Sequence, residues 1–334
     1  MRLFDTEIAP LGMGCWPIGG AMFAGPGFGA SGSIGYSNAD DTESIRTIHA
    51  AMANGVTLFD TAAVYGAGHA ERLLAKALKG YPDAIIVTKI GMAMDEGKKM
   101  VLGMETDPSS VPVAIDRCLA RLERERIDIL LLHLNDFPVT EAEPLFDAME
   151  HAVRVGKIRS YGWSTDFSQS VRAVSHRKNF IAVEHGMNVF FDAPAMRTAV
   201  HDNALISLIR SPLGMGVLAG KYDENSQLPL SDIRAAGNTV TEYFKDGRPN
   251  PHFLKKLEAV RDMLQIDGRT LVQGALAWLW AKSGNAIPVP GARTVDQIEG
   301  IAGALRFGPL PTSVVREIDD LIGQGNEGAD DRPR

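Results

Sequence analysis

The chain has little cysteine: two residues, Cys15 and Cys118, among 334. Two cannot build a disulfide framework, so the fold must rest on a packed core, and the expected compartment is the reducing cytoplasm. No apolar run approaches the roughly 18 residues that cross a bilayer, and Met1–Glu7 lacks the apolar centre of a signal peptide, so no membrane association is expected. Positive charge is in deficit. With 34 Lys+Arg against 41 Asp+Glu, the net charge of −7 argues against a nucleic-acid surface, which needs a basic footprint. The eight histidines show no H-x-H or H-E-x-x-H spacing, which leaves metal chemistry without a ligand set. A Gly-x-Ser-x-Gly elbow for a serine hydrolase is also missing. Apolar residues are plentiful at 45%, enough for a large core.

Short β-rich apolar runs alternate with longer amphipathic stretches. The runs are Leu11–Gly14, Thr57–Phe59, Ile85–Thr88, Asp128–Leu132, Ile158–Gly162, Ile181–Val183, Leu205–Ile209 and Ala286–Val289. Helical patterns include Asp40–Asn54, His69–Leu78, Pro108–Arg126, Glu141–Val155 and Gly268–Ala281. Eight runs, almost all separated by a helix, predict a (β/α)₈ TIM barrel. Their continuous rather than alternating apolarity suits strands covered on both faces. A doubly wound open sheet with a second domain is compatible with the same alternation. No Pro/Ser-rich linker divides the chain, so residues 1–334 are expected to form a single barrel domain. Residues 2–10 would make a short N-terminal cap at the barrel bottom, 222–250 a long loop on the seventh unit, 312–322 an extra C-terminal helix, and 323–334 a flexible polar tail.

Chemistry in such a barrel gathers at the C-terminal strand ends. The second run ends in Phe59-Asp60, with Tyr65 in the loop beyond; the third ends in Thr88-Lys89 and the fourth in Leu132-His133. The fifth ends in Trp163-Ser164, the sixth in Glu184, the seventh in Arg210-Ser211. An acid, a phenol, an amine and an imidazole on one rim suit proton delivery to a carbonyl oxygen that becomes an alkoxide. A phenol with a pKa of about 10 is a weak acid near neutrality. A neighbouring ammonium is expected to lower that value, and a carboxylate behind the lysine to keep it charged and oriented. None of these groups carries a hydride, so a redox cofactor is required. Taken singly, Lys89 or Asp60 reads as an ordinary ion-pairing residue and His133 as a satisfied core histidine; their joint occurrence on successive strand ends is what points to a site.

Gly55-Val56-Thr57-Leu58-Phe59-Asp60-Thr61-Ala62, followed by Tyr65-Gly66, Glu71 and Leu74, resembles the signature of the aldo-keto reductases. Ile86-Val87-Thr88-Lys89 is similar to that family's lysine strand and Asp128–His133 to its histidine strand, and the likeness runs from about Leu11 to about Ala304. It implies a (β/α)₈ barrel and hydride transfer from NADPH to a small-molecule aldehyde or ketone. It further implies Tyr65 as general acid, Lys89 and Asp60 as the relay tuning it, and His133 as the group that orients the carbonyl. Lys157–Ser164 resembles the strand whose serine, here Ser164, holds the nicotinamide carboxamide. Thr165-Asp166 stands where the family commonly continues with Asn, and Glu184 where it usually has Gln. An ionised glutamate accepts but cannot donate a hydrogen bond, and its charge favours the oxidised, cationic nicotinamide. Arg210 replaces an aromatic residue that stacks on the nicotinamide in many relatives; since Arg210 and Glu184 end adjacent strands, they are expected to pair.

Ser211–Lys221 is similar to the segment that wraps the cofactor pyrophosphate, implicating Ser211, Leu213, Gly216 and Lys221. Pro288–Arg293, with Gln297 behind it, resembles the clamp on the adenosine 2′-phosphate, implicating Gly291, Arg293 and Gln297 and favouring NADP over NAD. The Glu-Asn pair of relatives is here Gly300-Ile301. Lys221 and Arg293 would supply the local positive charge that an acidic protein needs for an anionic cofactor.

Gly27-Phe28-Gly29-Ala30-Ser31-Gly32 matches G-x-G-x-x-G by letters, but lies in a glycine-rich loop with no helix starting on it, so a mobile rim loop is the better reading. Of the rim aromatics Trp16, Phe23, Phe28, Tyr36, Phe190 and Phe191, Trp16 directly follows the first strand and is the candidate for the substrate pocket. The sequence therefore predicts an NADPH-dependent carbonyl reductase. Its rivals are a cofactor-binding regulatory protein of the same fold with vestigial redox activity, and a barrel hydrolase or lyase without nicotinamide.

Overall fold

The computed structural model describes residues 1–26, 32–235 and 242–323. Eight parallel strands follow one another around the sheet: β1 (Gly12–Gly14), β2 (Leu58–Asp60), β3 (Ile85–Ile90), β4 (Ile127–Leu132), β5 (Ile158–Ser164), β6 (Phe180–Gly186), β7 (Ile206–Arg210) and β8 (Ala286–Pro288). The Gly14 amide donates to the Pro290 carbonyl at 3.0 Å, and Gly14 bridges Gly291 in parallel, which brings the last strand round to the first. This is the (β/α)₈ barrel that the alternation predicts, not the open sheet.

Closure depends on the missing side chain at Gly14, where a Cβ would lie 2.5 Å from the Val289 carbonyl oxygen. Backbone cannot yield as a side-chain tip can. Gly14→Ala is expected to destabilise the protein by about 1–3 kcal/mol, seen as a lower urea midpoint with an unchanged slope.

Helices cover the outside: α1 (Asp41–Ala53), α2 (His69–Ala77), α3 (Val111–Leu122), α4 (Val139–Arg154), α5 (Ser168–Val174), α6 (Pro194–Asp202), α7 (Pro251–Leu264), α8 (Leu271–Lys282), α9 (Val295–Ala302) and α10 (Thr312–Ile322). Local caps start several of them. Asp40 accepts from the Glu43 amide at α1, Thr294 from the Gln297 amide at α9, and Thr270 with Gln273 forms a capping box at α8. A two-stranded hairpin, Arg2–Leu3 with Thr6–Glu7, caps the barrel bottom, where Leu3 and Ile8 pack on the interior residues. The extra C-terminal helix α10 is held by Asp319, which accepts from Lys282 at 2.7 Å and from the Trp278 indole at 3.2 Å. The tail beyond Gly323 lies outside the described residues.

The 222–250 segment is more ordered than a plain loop. It carries a one-turn helix at Ile233–Ala235 and a hairpin of Phe244–Lys245 with Arg248–Pro249; its residues 236–241 lie outside the described residues. A small sheet on the rim, pairing Phe23–Ala24 with Met100–Met104 and that strand with Met92–Asp95, has no counterpart in the sequence reading.

Strand periodicity is what positions the site. Inward-facing Leu58, Val87, Leu131, Ala182 and Leu208 pack together inside the barrel. Side chains alternate along a strand, so the residues two positions further on face the same interior, each nearer the rim end of its own strand. Those residues are Asp60, Lys89, His133, Glu184 and Arg210. The apolar layers below fix their height and orientation.

Candidate active site

Lys89 is the hub. Its side chain is fully buried, and its Nζ donates to Asp60 Oδ1 at 2.5 Å, to the Thr61 carbonyl at 2.9 Å and to Tyr65 Oη at 3.4 Å. A second carboxylate reaches the same ammonium: Glu184 Oε2 lies 3.0 Å from Nζ. Burial by itself would disfavour the ammonium, but Asp60 and Glu184 together hold the Lys89 pKa well above the usual lysine range. For Asp60, burial and then the Glu184 charge push the pKa well up, whereas at Glu184 the Lys89 and His133 neighbours overcome burial and bring it down. The two acids are thus shifted in opposite directions around one ammonium.

Tyr65 departs from expectation in one respect. Burial raises its phenol above the ordinary value and outweighs the lowering by Lys89, with Asp60 and Glu184 adding to the rise. The ammonium opposes the shift without reversing it, so the phenol stays protonated. Trp16 stacks on the Tyr65 ring with centroids 5.7 Å apart, and Tyr36 meets Trp16 edge-on at 5.4 Å. His133 sets its ring perpendicular to Tyr65 at 6.2 Å, its amide donates to the Ile90 carbonyl, and its Nδ1 is buried without a hydrogen-bond partner. Burial first, then Lys89, pushes the His133 pKa down to about 4, so the imidazole is neutral at physiological pH. Cys15 is buried, and burial pushes its thiol well up, which makes it unreactive.

The expected Glu184–Arg210 pair does not form. Arg210 Nη2 instead bonds Asp166 Oδ2 at 2.6 Å, and Asp166 Oδ1 accepts from the Gly186 amide at 2.7 Å. Register explains the error. Glu184 lies opposite Leu208 and Ser164, while Arg210 lies opposite Gly186, one layer higher, beside the loop that carries Asp166. Strand ends on neighbouring strands are staggered in a barrel, so equal closeness to the end of a run is not equal height.

The remaining candidates line the rim from β5 to β8. Ser164 is buried, its Oγ 3.5 Å from Glu184 Oε1. After β7 the backbone turns through left-handed conformations at Ser211, Gly214, Met215, Gly216 and Gly220. Leu213 packs against the core and heads the short helix of this turn, and Lys221 is exposed beside Tyr222. Successive left-handed turns at a strand end form concave backbone suited to phosphate oxygens. Gly291 lies on Pro17, where a Cβ would come within 2.5 Å. The Arg293 amide bonds Gln297 Oε1 at 2.9 Å, and its guanidinium donates to the Ser37 carbonyl at 2.7 Å and to that of Asn38. Phe190 and Phe191 are buried against Tyr243 and Phe253, Phe23 belongs to the rim sheet, and Phe28 with the glycine stretch 27–31 lies outside the described residues.

Sequence reasoning missed three groups of contacts here. One is the Glu184–Lys89 ion pair across the interior. Another is Arg234, which donates to Tyr222 Oη at 2.8 Å and to the Met215 carbonyl at 3.2 Å, while the neighbouring Ile233 amide reaches the Gly35 carbonyl. The third is Glu43, whose carboxylate accepts from the Val295 amide at the start of α9 at 3.0 Å. All three link residues far apart in sequence, and no local pattern marks them.

Compared with known proteins, residues 11–322 match the profile of the aldo/keto reductase family. The chain belongs to that family. It is 28% identical to the aldo-keto reductase YhdN of Bacillus subtilis over 310 residues, 89% of this chain and 85% of that one. It is also 28% identical to the NADP(+) aldo-keto reductase yakc of Schizosaccharomyces pombe, over 90% of this chain and 89% of that protein. Among solved structures it resembles the glycerol dehydrogenase of Gluconobacter oxydans, with a TM-score of 0.78 and 24% identity, covering 99% and 96% of the two chains. It also resembles an aldo-keto reductase of Klebsiella pneumoniae in complex with NADPH, with a TM-score of 0.69 and 18% identity over 98% and 95%. Those two likenesses concern the fold. Membership in this oxidoreductase family rests on the profile, and among the described residues no helix is long and apolar enough to cross a membrane.

Proposed function

We propose that this aldo-keto reductase transfers hydride between NADP(H) and a small aldehyde or ketone, with Tyr65 supplying the proton. The observation that carries the reading is the contact of Lys89 Nζ with Tyr65 Oη and Asp60 Oδ1, at 3.4 and 2.5 Å, on the interior layer just below the rim. NADPH, when bound, supplies the hydride that no side chain can. The residues present suit it. The rim has a left-handed backbone turn at 211–220 and a buried His133 Nδ1 without a partner.

The chain's own groups then divide the work. Tyr65 holds its proton because it is buried, and gives it up only as negative charge develops on the substrate oxygen. Lys89 lies close enough to stabilise the phenolate left behind, and Asp60 fixes the ammonium in place. His133, neutral, orients the carbonyl through a ring nitrogen. Trp16, stacked on Tyr65, forms an aromatic wall of the substrate site. Ser164 would hold the carboxamide and Ser211, Leu213, Gly216 and Lys221 the pyrophosphate. Gly291, Arg293 and Gln297 would hold the adenosine end, with Arg293 turning from the 37–38 carbonyls to the 2′-phosphate. The soluble composition fits a cytoplasmic enzyme acting as a single barrel domain.

The test is NADPH consumption across aromatic and aliphatic aldehydes and a few ketones, beside a binding titration. Turnover of at least one class supports the proposal. Binding without turnover across the panel favours the regulatory reading, and no binding removes the nicotinamide altogether. Arg293→Ala is expected to weaken NADPH about tenfold or more and leave NADH nearly unchanged, since a charge-assisted pair with phosphate contributes about 1.5–3 kcal/mol. Equal losses for the two cofactors would remove Arg293 from the 2′-phosphate.

A further inference from the structure

One buried ammonium here faces two carboxylates, where the proton relay needs only one. Lys89 Nζ lies 2.5 Å from Asp60 and 3.0 Å from Glu184, and both acids are buried. Glu184 also lies 3.5 Å from the Ser164 hydroxyl, on the side where the nicotinamide carboxamide would be held. Arg210 bonds Asp166 rather than the second acid. We propose that Glu184 is a positioning residue that biases this enzyme toward the oxidised cofactor, and that binding NADP⁺ expels the proton shared by Asp60 and Glu184. This rests on the cofactor reading above.

The physical basis is charge. With Asp60 protonated, the cluster Asp60–Lys89–Glu184 is neutral; with Asp60 ionised it carries one negative charge. A cationic ring brought beside it lowers the pKa of a neighbouring carboxyl. The Asp60 proton then leaves to solvent, and an ion-paired complex remains. The uncharged reduced ring gives no such drive, so NADPH binds with the proton in place. With glutamine at 184, Asp60 is already ionised against Lys89, and no proton is left to release. The overall equilibrium of the reaction cannot change, but the balance between the two bound forms can, which favours alcohol oxidation at low cofactor concentration.

Kd for NADP⁺ and for NADPH is measured by tryptophan fluorescence in wild type and Glu184→Gln, with proton release followed by an indicator in weak buffer. Release from the 2′-phosphate is common to both cofactors and cancels in the difference. Wild type is expected to release more protons with NADP⁺ than with NADPH. Glu184→Gln is expected to lose that excess and to raise the ratio of Kd(NADP⁺) to Kd(NADPH) about tenfold. NADPH binding by the variant shows that it is folded. An unchanged ratio, or equal release from wild type with both cofactors, overturns the inference while leaving the proposed function standing. Failure of wild type to bind either cofactor overturns that function, and this inference with it.

Discussion

Tyr65→Phe is expected to lower kcat by about 10²–10⁴-fold while NADPH binds with unchanged affinity. The phenol oxygen is the only part removed, and it is the acid of the proposed mechanism. The ring stays, so the stack with Trp16 and the perpendicular contact with His133 survive. The loss should therefore fall on kcat far more than on cofactor Kd. Single-turnover kinetics with an aldehyde from the screen would measure it. A variant that keeps most of its kcat would mean that another group, His133 being nearest in kind, delivers the proton.

Lys89→Met has the second large effect, on stability as well as activity. It leaves two buried carboxylates facing each other with no cation between them. Removing one partner of a buried ion pair costs about 3–5 kcal/mol. The pH dependence has a definite sign. Without the ammonium, like charge and burial raise both carboxyls above their unfolded values of about 4. A raised carboxyl pKa gives stability that is present below the unfolded value and lost as pH rises through the folded one. The urea midpoint of the variant should thus fall away from wild type as pH rises above about 4. In wild type, the raised Lys89 pKa gives stability that persists until pH exceeds the unfolded lysine value of about 10.4. A variant as stable as wild type at neutral pH would show that the two acids do not depend on this ammonium.

The legible and illegible parts of the site divide by distance along the chain. Asp60, Lys89 and His133 each end an apolar run, and the run itself tells which residue is last and which face it shares. Their grouping around Tyr65 could be read for that reason. The pairing of Glu184 could not, because adjacency of strands says nothing about stagger, and a long lysine side chain from β3 reaches a residue on β6 across the interior. The rim sheet at 92–104 was invisible for a different reason. Its strands are short and half-exposed, without the alternation that marks a buried face. Helices α5, α6, α7 and α9 lay in stretches that the sequence reading left unassigned.

By itself the sequence determined the barrel, because eight apolar runs spaced by amphipathic helices have few other ways to be buried. It also determined that Asp60, Lys89 and His133 stand at the rim ends of successive strands, because strand ends are fixed by the same apolar pattern. Only the tertiary structure decided the charge of the site. Which carboxylate meets Lys89, which one takes Arg210, and whether the Tyr65 phenol is raised or lowered all depend on strand stagger and desolvation. Both arise when eight strands are closed into one ring, and neither exists within any single segment.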